Sequence, residues 1–356
     1  MEFALKNLRW LAAPIALTML LVACGSDKQP AASTGITNAS KGTISLRLGY
    51  FPNVTHAPAV YGVQTGSFAT KLGTSVKLST QTFTAGPAAV EALFSDSIDA
   101  AFVGPNPAIS AYTKSKGEAI RVVSGVASGG AFFVVKPSIT SAADLKGKKI
   151  ADPQLNGTQD VALRWYLKSN GYKTDTSGGG DVSVVPQENA QMLDTFKSGD
   201  IDGAWVPEPW ATRLVNEAGG KILVDERDEW PNKKFATTLL IVSTKFLKDH
   251  PDVVKSLIEA TSDAIDAIAT NPTEAGKAVA AGIEKITTKP IKQTLVDSSF
   301  KSITFTLDPV ASSLFSVADH SVALGIGKKS DLIGIFDLSI VNEVLTAAGK
   351  PKVAAK

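Results

Sequence analysis

The chain is poor in the residues that carry most covalent and metal chemistry. Its 356 residues include one cysteine, Cys24, and three histidines, His56, His250 and His320. A single cysteine cannot close a disulfide within one chain, so stability must come from burial. The three histidines show no metal-ligand spacing, and no second cysteine is present to complete a zinc site. No GxSxG elbow exists, because Val126 and Ala127 precede Ser128. An excess of one charge is missing too. The 36 Lys and Arg against 34 Asp and Glu leave a formal charge of +2, which provides no electrostatic footprint for nucleic acid. After residue 23, no apolar run reaches the ~20 residues that a membrane span needs. These absences point away from an enzyme, and no cofactor or metal is expected.

The first 24 residues have a different character. Lys6 and Arg9 precede an apolar stretch from Trp10 to Ala23, broken by Pro14 and Thr18, and Leu21-Val22-Ala23-Cys24 follows. A basic start, a short apolar stretch and small residues describe an export signal. With cysteine directly after the small residues, the segment resembles a lipoprotein signal peptide. That resemblance implies cleavage before Cys24 and diacylation of its sulfur, hence an exported protein held on the lipid bilayer through Cys24. The expected layout is a signal peptide over 1–23 and a flexible Ser-, Ala- and Gly-rich linker over 24–42. Loss of Glu2, Lys6 and Arg9 takes the formal charge from +2 to +1. The linker reaches a couple of nanometres by ~5–6 Å times the square root of its length.

From Thr43 strands and helices alternate. Ile44, Leu46, Leu48 and Tyr50 read as a strand, followed by strands over 76–81, 98–103, 121–126 and 132–135. After Pro137 come strands over 149–151, 182–185, 201–206 and 221–224, with helices between them over 158–170, near 192–196 and over 210–218. A strand at 239–242 precedes a mainly helical tail, in which Val254, Leu257, Ile258, Ile265 and Ile268 form one apolar stripe ended at Asn271-Pro272. Such alternation predicts an α/β fold with parallel sheets wrapped by helices. Gly178-Gly179-Gly180 reads as a loop tip. Gly325-Ile326-Gly327-Lys328-Lys329-Ser330 lacks the glycine spacing of a phosphate loop and reads as a helix end.

The two halves echo each other. Ile98-Asp99-Ala100-Ala101-Phe102-Val103 runs into Gly104-Pro105-Asn106-Pro107-Ala108. Ile201-Asp202-Gly203-Ala204-Trp205-Val206 runs into Pro207-Glu208-Pro209-Trp210-Ala211. Both read as a strand, a tight turn and a helix begun by proline. Further turns of this kind are Asn53-Val54-Thr55-His56-Ala57-Pro58, Thr84-Ala85-Gly86-Pro87 and Asn156-Gly157-Thr158-Gln159. Helix N-termini beyond strand ends can hold anions without a lysine or arginine. Each turn alone is explained by capping; several facing one cleft would make a binding site.

Leu48-Gly49-Tyr50-Phe51-Pro52-Asn53 with Thr55-His56-Ala57-Pro58, Thr84-Ala85-Gly86-Pro87, Val103-Gly104-Pro105-Asn106-Pro107, Gly157-Thr158-Gln159-Asp160 and Pro207-Glu208-Pro209-Trp210-Ala211-Thr212 resemble the substrate-binding proteins of ABC importers for aliphatic sulfonates, nitrate and taurine, to which pyrimidine-precursor binders are related. The resemblance implies a two-lobe type II periplasmic-binding-protein fold with a hinge, a ligand cleft between the lobes and a helical C-terminal tail. On this sequence lobe one covers 43–136 plus 235–356 and lobe two 137–234, with crossings near Lys136 to Ser141 and Glu226 to Phe235. It implies a monomer that delivers a small organic anion, an aliphatic sulfonate first, to a membrane permease. Taurine, nitrate or a thiamine-pyrimidine precursor are the alternatives; a fold-related pyrimidine synthase is remote, because that enzyme uses a cysteine-rich motif. The expected ligand-binding residues are Asn53, Thr55, His56, Thr84, Gly86, Asn106, Ser128, Gln154, Thr158, Gln159, Glu208 and Trp210. Glu208 has two readings, an acid in the first turn of a helix or a partner for an amino group on the ligand. Trp205 and Trp210 either stack on the ligand or belong to the core.

Overall fold

A computed structural model describes residues 43–355; the signal-like segment, Cys24 and the linker through Gly42 lie outside the described residues. Leu46 and Leu48 alternate inward to full burial on the first strand, β1 (Ile44–Tyr50). A 3₁₀ turn (Val54–His56) and helices α1 (Ala57–Gln64) and α2 (Ser67–Leu72) follow. The chain continues through β2 (Val76–Thr82), α3 (Gly86–Phe94), β3 (Ala100–Val103), α4 (Pro105–Lys114) and β4 (Ile120–Gly129). Then come β5 (Ala131–Val135), β6 (Lys149–Asp152), α5 (Thr158–Ser169), β7 (Ser183–Pro186), α6 (Asn189–Ser198), β8 (Gly203–Pro207), α7 (Trp210–Ala218) and β9 (Lys221–Asp225). The last part holds β10 (Ala236–Ser243), α8 (Thr244–Asp249), α9 (Pro251–Thr270), α10 (Pro272–Thr287), α11 (Gln293–Phe300), β11 (Ile303–Phe305), α12 (Ala311–Ala323) and α13 (Ser339–Ala347).

The strands form two mixed sheets, ordered β11-β4-β10-β3-β1-β2 and β7-β6-β8-β5-β9. The orders match: β2-β1-β3 and β7-β6-β8 are parallel, and each set carries an antiparallel neighbour, β10 or β5. The echoed strands β3 and β8 therefore hold equivalent positions. Every residue of both is buried, as expected for central strands covered on both faces. The edge strand β2 is mostly exposed and polar instead.

Chain crossings between the sheets connect β4 to β5 and β9 to β10. The first falls at Gly129-Gly130, earlier than the expected Lys136 to Ser141, so Ala131–Val135 belongs to the second sheet. Two consecutive glycines with φ of +80° and +72° make that turn, a conformation costly for side-chain-bearing residues. The second crossing runs from Glu226 to Phe235 through two 3₁₀ turns. Both crossings are bound together, since Phe235 N donates to Ser128 Oγ (3.3 Å) and Thr237 Oγ1 donates to Gly129 O (2.6 Å).

The tail packs on the first sheet. Val254, Leu257, Ile258 and Ile268 of α9 are buried there with Leu46, Leu48 and Val126. Asn271 then starts α10, its side chain accepting from Glu274 N, while Pro272 blocks continuation of α9. Helices α1 and α2 and strand β11 extend the sequence reading. Short apolar stretches with proline and glycine nearby hide such elements. Among the described residues no helix is long and apolar enough to cross a membrane.

Candidate functional site

A cavity of about 30 Å³ lies where both sheets present the carboxyl ends of their parallel strands. Its lining begins at Phe51 and the 3₁₀ turn behind β1, which supplies Thr55 and His56 next to Asn53. Thr84, Ala85 and Gly86 enter at the start of α3, and Gly104 and Pro107 at the start of α4. The second sheet contributes Pro153, Gly157, Thr158 and Gln159 at the start of α5, Asn189 opening α6, and Pro207 ending β8. Thr237 of β10 completes the wall.

None of these residues is charged. None of α3, α4, α5 and α6 has its first turn capped by its own N-cap side chain. The positive ends of their dipoles meet at the cavity, with fewer free N–H groups from α4, whose Pro105 and Pro107 have none. Three side-chain atoms in its wall are buried without a hydrogen-bond partner: His56 Nδ1, Thr158 Oγ1 and Asn189 Oδ1. An unpaired buried polar atom costs ~1–3 kcal/mol, so three around one small space mark a place built to bond something else. Burial lowers the His56 pKa to about 3, which keeps the imidazole neutral at any ordinary pH. Phe51 lies against that ring, 4.4 Å between centroids. The arrangement can therefore hold an anion through dipoles and neutral donors without a counter-cation.

The lobes touch around this space. Asn106 Nδ2 donates to Asn156 O (2.7 Å), Trp210 Nε1 to Asn53 Oδ1 (2.9 Å), and Val54 N to Glu208 O (3.0 Å). Gly104 is required by close approach: a Cβ there would stand 2.0 Å from Thr158 Oγ1 of the opposite lobe. Within the first turns of α5, Asp160 accepts from Asn156 N (2.9 Å) and Arg164 Nε (2.6 Å), fixing the loop that leads to Thr158.

Of the residues expected from sequence, Asn53, Thr55, His56, Thr84, Gly86, Thr158 and Gln159 line the cavity. The other five lie elsewhere. Asn106 is spent on the Asn156 clasp, and Ser128 accepts from Phe235 at the crossings. Gln154 lies on a neighbouring groove with Glu188 and Gln191, its carbonyl accepting from Gly157 N. Glu208 is buried beside the cavity, where its carboxylate accepts from Thr212 N and Oγ1 and from Ser299 Oγ. Burial raises its pKa against those bonds, and they use the carboxylate to finish the start of α7. Trp210 lines an adjoining cavity of about 130 Å³, with the Arg213 guanidinium 5.0 Å from its ring centroid. Trp205 is core: it stacks on Phe133 and donates from Nε1 to Glu226 Oε2 (2.6 Å). Asn189, Thr237 and Pro153 were not anticipated. A helix-start signal before Met192 could have indicated Asn189; nothing in the sequence marks Thr237, which arrives on a strand from across the second crossing.

Comparison with known proteins identifies the fold and the family. The chain is 30% identical over 216 residues to the taurine-binding periplasmic protein of Escherichia coli K12, covering 60% of this chain and 64% of that one. The solved nitrate-binding protein of Synechocystis superposes with a TM-score of 0.73 at 17% identity, covering 88% of this chain and 91% of that one. The alkanesulfonate-binding protein of Xanthomonas axonopodis pv. citri, solved with MOPS bound, does so with a TM-score of 0.66 at 19% identity, covering 81% and 96%. The fold is that of the periplasmic binding proteins. The model of the NMT1-like family matches residues 39–284, and the chain belongs to that family.

Proposed function

We propose that this protein is the exported substrate-binding component of an ABC importer, not an enzyme, and that it captures a small organic anion, an aliphatic sulfonate first, by lobe closure. The observation that carries this is the meeting of the unpartnered His56 Nδ1 and Thr158 Oγ1 with four helix N-termini in one uncharged cavity. Micromolar binding corresponds to about −8 kcal/mol. Hydrogen bonds to a charged group contribute ~1.5–3 kcal/mol each, so three to five of them reach that range.

Size favours an organic anion over nitrate. About 30 Å³ holds roughly two waters, so a head group enters only when the lobes part and close again around it. The 130 Å³ cavity shares Asn53, Thr84 and Asn189 with it; Pro52, Trp210, Ile283 and Ile291 give it apolar surface, and Glu188, Arg213 and Lys289 line it as well. A short carbon chain fits there. Ligand shifts the lobes toward closure only by binding the closed state more tightly. The closed monomer would then dock on the permease, tethered through a diacylated Cys24, with 1–23 removed and 24–42 as linker. Mass spectrometry of the membrane fraction tests the tether; an unmodified full-length chain contradicts it.

Titration calorimetry with nitrate, taurine and methane-, ethane- and butanesulfonate tests the ligand. Butanesulfonate should bind most tightly, and tight nitrate binding with no sulfonate response sinks the assignment. A second reading comes from Asn189 Oδ1, an acceptor that suits a donor on the ligand. Taurine binding more tightly than ethanesulfonate would favour it.

A further inference from the structure

The cleft leaves one conspicuous part of the molecule without a role, the run Gly325-Ile326-Gly327-Lys328-Lys329-Ser330. Its first half ends α12, with Gly325 N donating to Val322 O and Gly327 N to Ser321 O, each at 2.9 Å. The second half faces a cavity of about 600 Å³. Lys328 and Lys329 form one wall, while Thr113, Lys114 and Lys116 at the end of α4 form another. Leu155 and Asn156 of the loop between β6 and α5 close a third side, so both lobes line it.

Four lysines and no carboxylate line this space. Lys114 has a loose 3.8 Å pairing with the exposed Glu91; no ion pair is formed by Lys116, Lys328 or Lys329 among the described residues. Thr113 Oγ1 is buried in this wall without a hydrogen-bond partner. Val90, Ile109 and Ile326 supply apolar surface between the charges. Like charges around a concavity repel one another and focus a positive potential into it. A single small ion is far too small to reach all four ammonium groups across such a volume. Small-molecule sites occupy ~300–1,000 Å³, and this cavity lies within that range.

We propose that this basin is a second site, for a small multiply charged anion such as a polycarboxylate or polyphosphate, and that its occupation favours the closed lobes. The coupling follows from Asn156. That residue lines the basin, accepts the clasp from Asn106 across the lobes, and precedes Gly157 in the wall of the cleft. An anion bridging α4 and this loop contacts both lobes only when they are together, so it binds the closed state more tightly. By linkage it raises the affinity of the cleft for its own ligand by the same factor. Only this coupling rests on the lobe-closure reading of the cleft; binding in the basin does not.

The test uses the full chain with citrate and pyrophosphate as probes, in calorimetry at low ionic strength and in small-angle scattering. Both probes should bind, more weakly as salt rises. Lys328→Ala with Lys329→Ala should weaken them by about tenfold or more, and Thr113→Val by a smaller factor. These exposed lysines can be replaced without disturbing the core. Probe binding should persist in Thr158→Val, whose cleft is impaired, which separates the basin from the cleft. Scattering should show compaction with probe in the wild type and none in the double lysine variant. Absence of probe binding, or binding indifferent to the lysines, overturns the site; lysine-dependent binding without compaction overturns the coupling. Normal folding and no probe binding, but impaired permease docking in the lysine variant, would assign the basin to a protein contact instead.

Discussion

The turns after β3 and β8 arise from nearly the same sequence pattern and hold equivalent places in their sheets, yet they do different work. The turn after β3 presents backbone: Gly104 has no side chain, its helix start is left uncapped, and it stands against Thr158 of the other lobe. The turn after β8 is occupied by its own residues. Glu208 bonds Thr212 and Ser299, and Trp210 bonds Asn53, so this turn joins the lobes beside the cavity and contributes only Pro207 to its wall. An echo in sequence thus locates a pair of structural equivalents but does not assign them equal roles. What decides is whether a side chain is available to satisfy the helix start locally.

The largest test of this contrast is Gly104→Ala. Its Cβ would collide with Thr158 Oγ1, and overpacking of ~1–3 kcal/mol falls on the closed state alone. Affinity measured by calorimetry should fall by up to about 100-fold with little change in Tm. Unchanged affinity would mean that the lobes do not close as tightly as described. Next, Thr158→Val removes an unpaired hydroxyl while keeping shape, and ligand affinity should fall by about tenfold. A rise in thermal stability without ligand is expected alongside, because the valine removes a buried unpaired oxygen.

Glu226 extends the comparison to the second crossing. Burial raises its pKa to about 7 against the bonds from Trp205 and Trp230, so the folded state holds a proton that the unfolded chain releases near 4.5. Its protonated form stabilises the fold fully below the unfolded value, and that stability is lost as pH rises from about 4.5 through about 7. Glu226→Gln should therefore raise stability in denaturant melts at pH 8 by roughly 1–3 kcal/mol relative to its effect at pH 4. An equal effect at both pH values contradicts a raised carboxyl. The smallest effect is expected at the second echoed turn: Glu208→Gln should change ligand affinity by less than about threefold, because that carboxylate serves α7 and α11. A loss of tenfold or more would restore Glu208 to the ligand and erase the contrast. His56 is neutral in the described state, because burial lowers its pKa to about 3.

Much of the fold was legible because its signals are local. Alternation in Ile44 to Tyr50, the stripe on α9 and the break at Asn271-Pro272 report secondary structure through periodicity and sterics alone. The site was legible where a residue lies in a glycine- or proline-rich turn, as Thr84, Gly86 and Thr158 do. It was illegible where a polar residue has a competing partner distant in sequence. Asn106 finds Asn156, Ser128 finds Phe235, and Trp210 finds Asn53. Thr237 reaches the wall only because β10 returns to the first sheet between β3 and β4.

The sequence alone determined an α/β chain of two echoed halves with glycine- and proline-rich helix starts, because periodicity, turn chemistry and composition act over a few residues. Only the tertiary structure decided which of those helix starts remain unsatisfied. Whether His56, Thr158 and Asn189 are left without partners while Glu208 and Asn106 are not depends on atoms brought together from opposite lobes. Hydrogen-bond satisfaction is a property of the packed whole, and no window of sequence contains it.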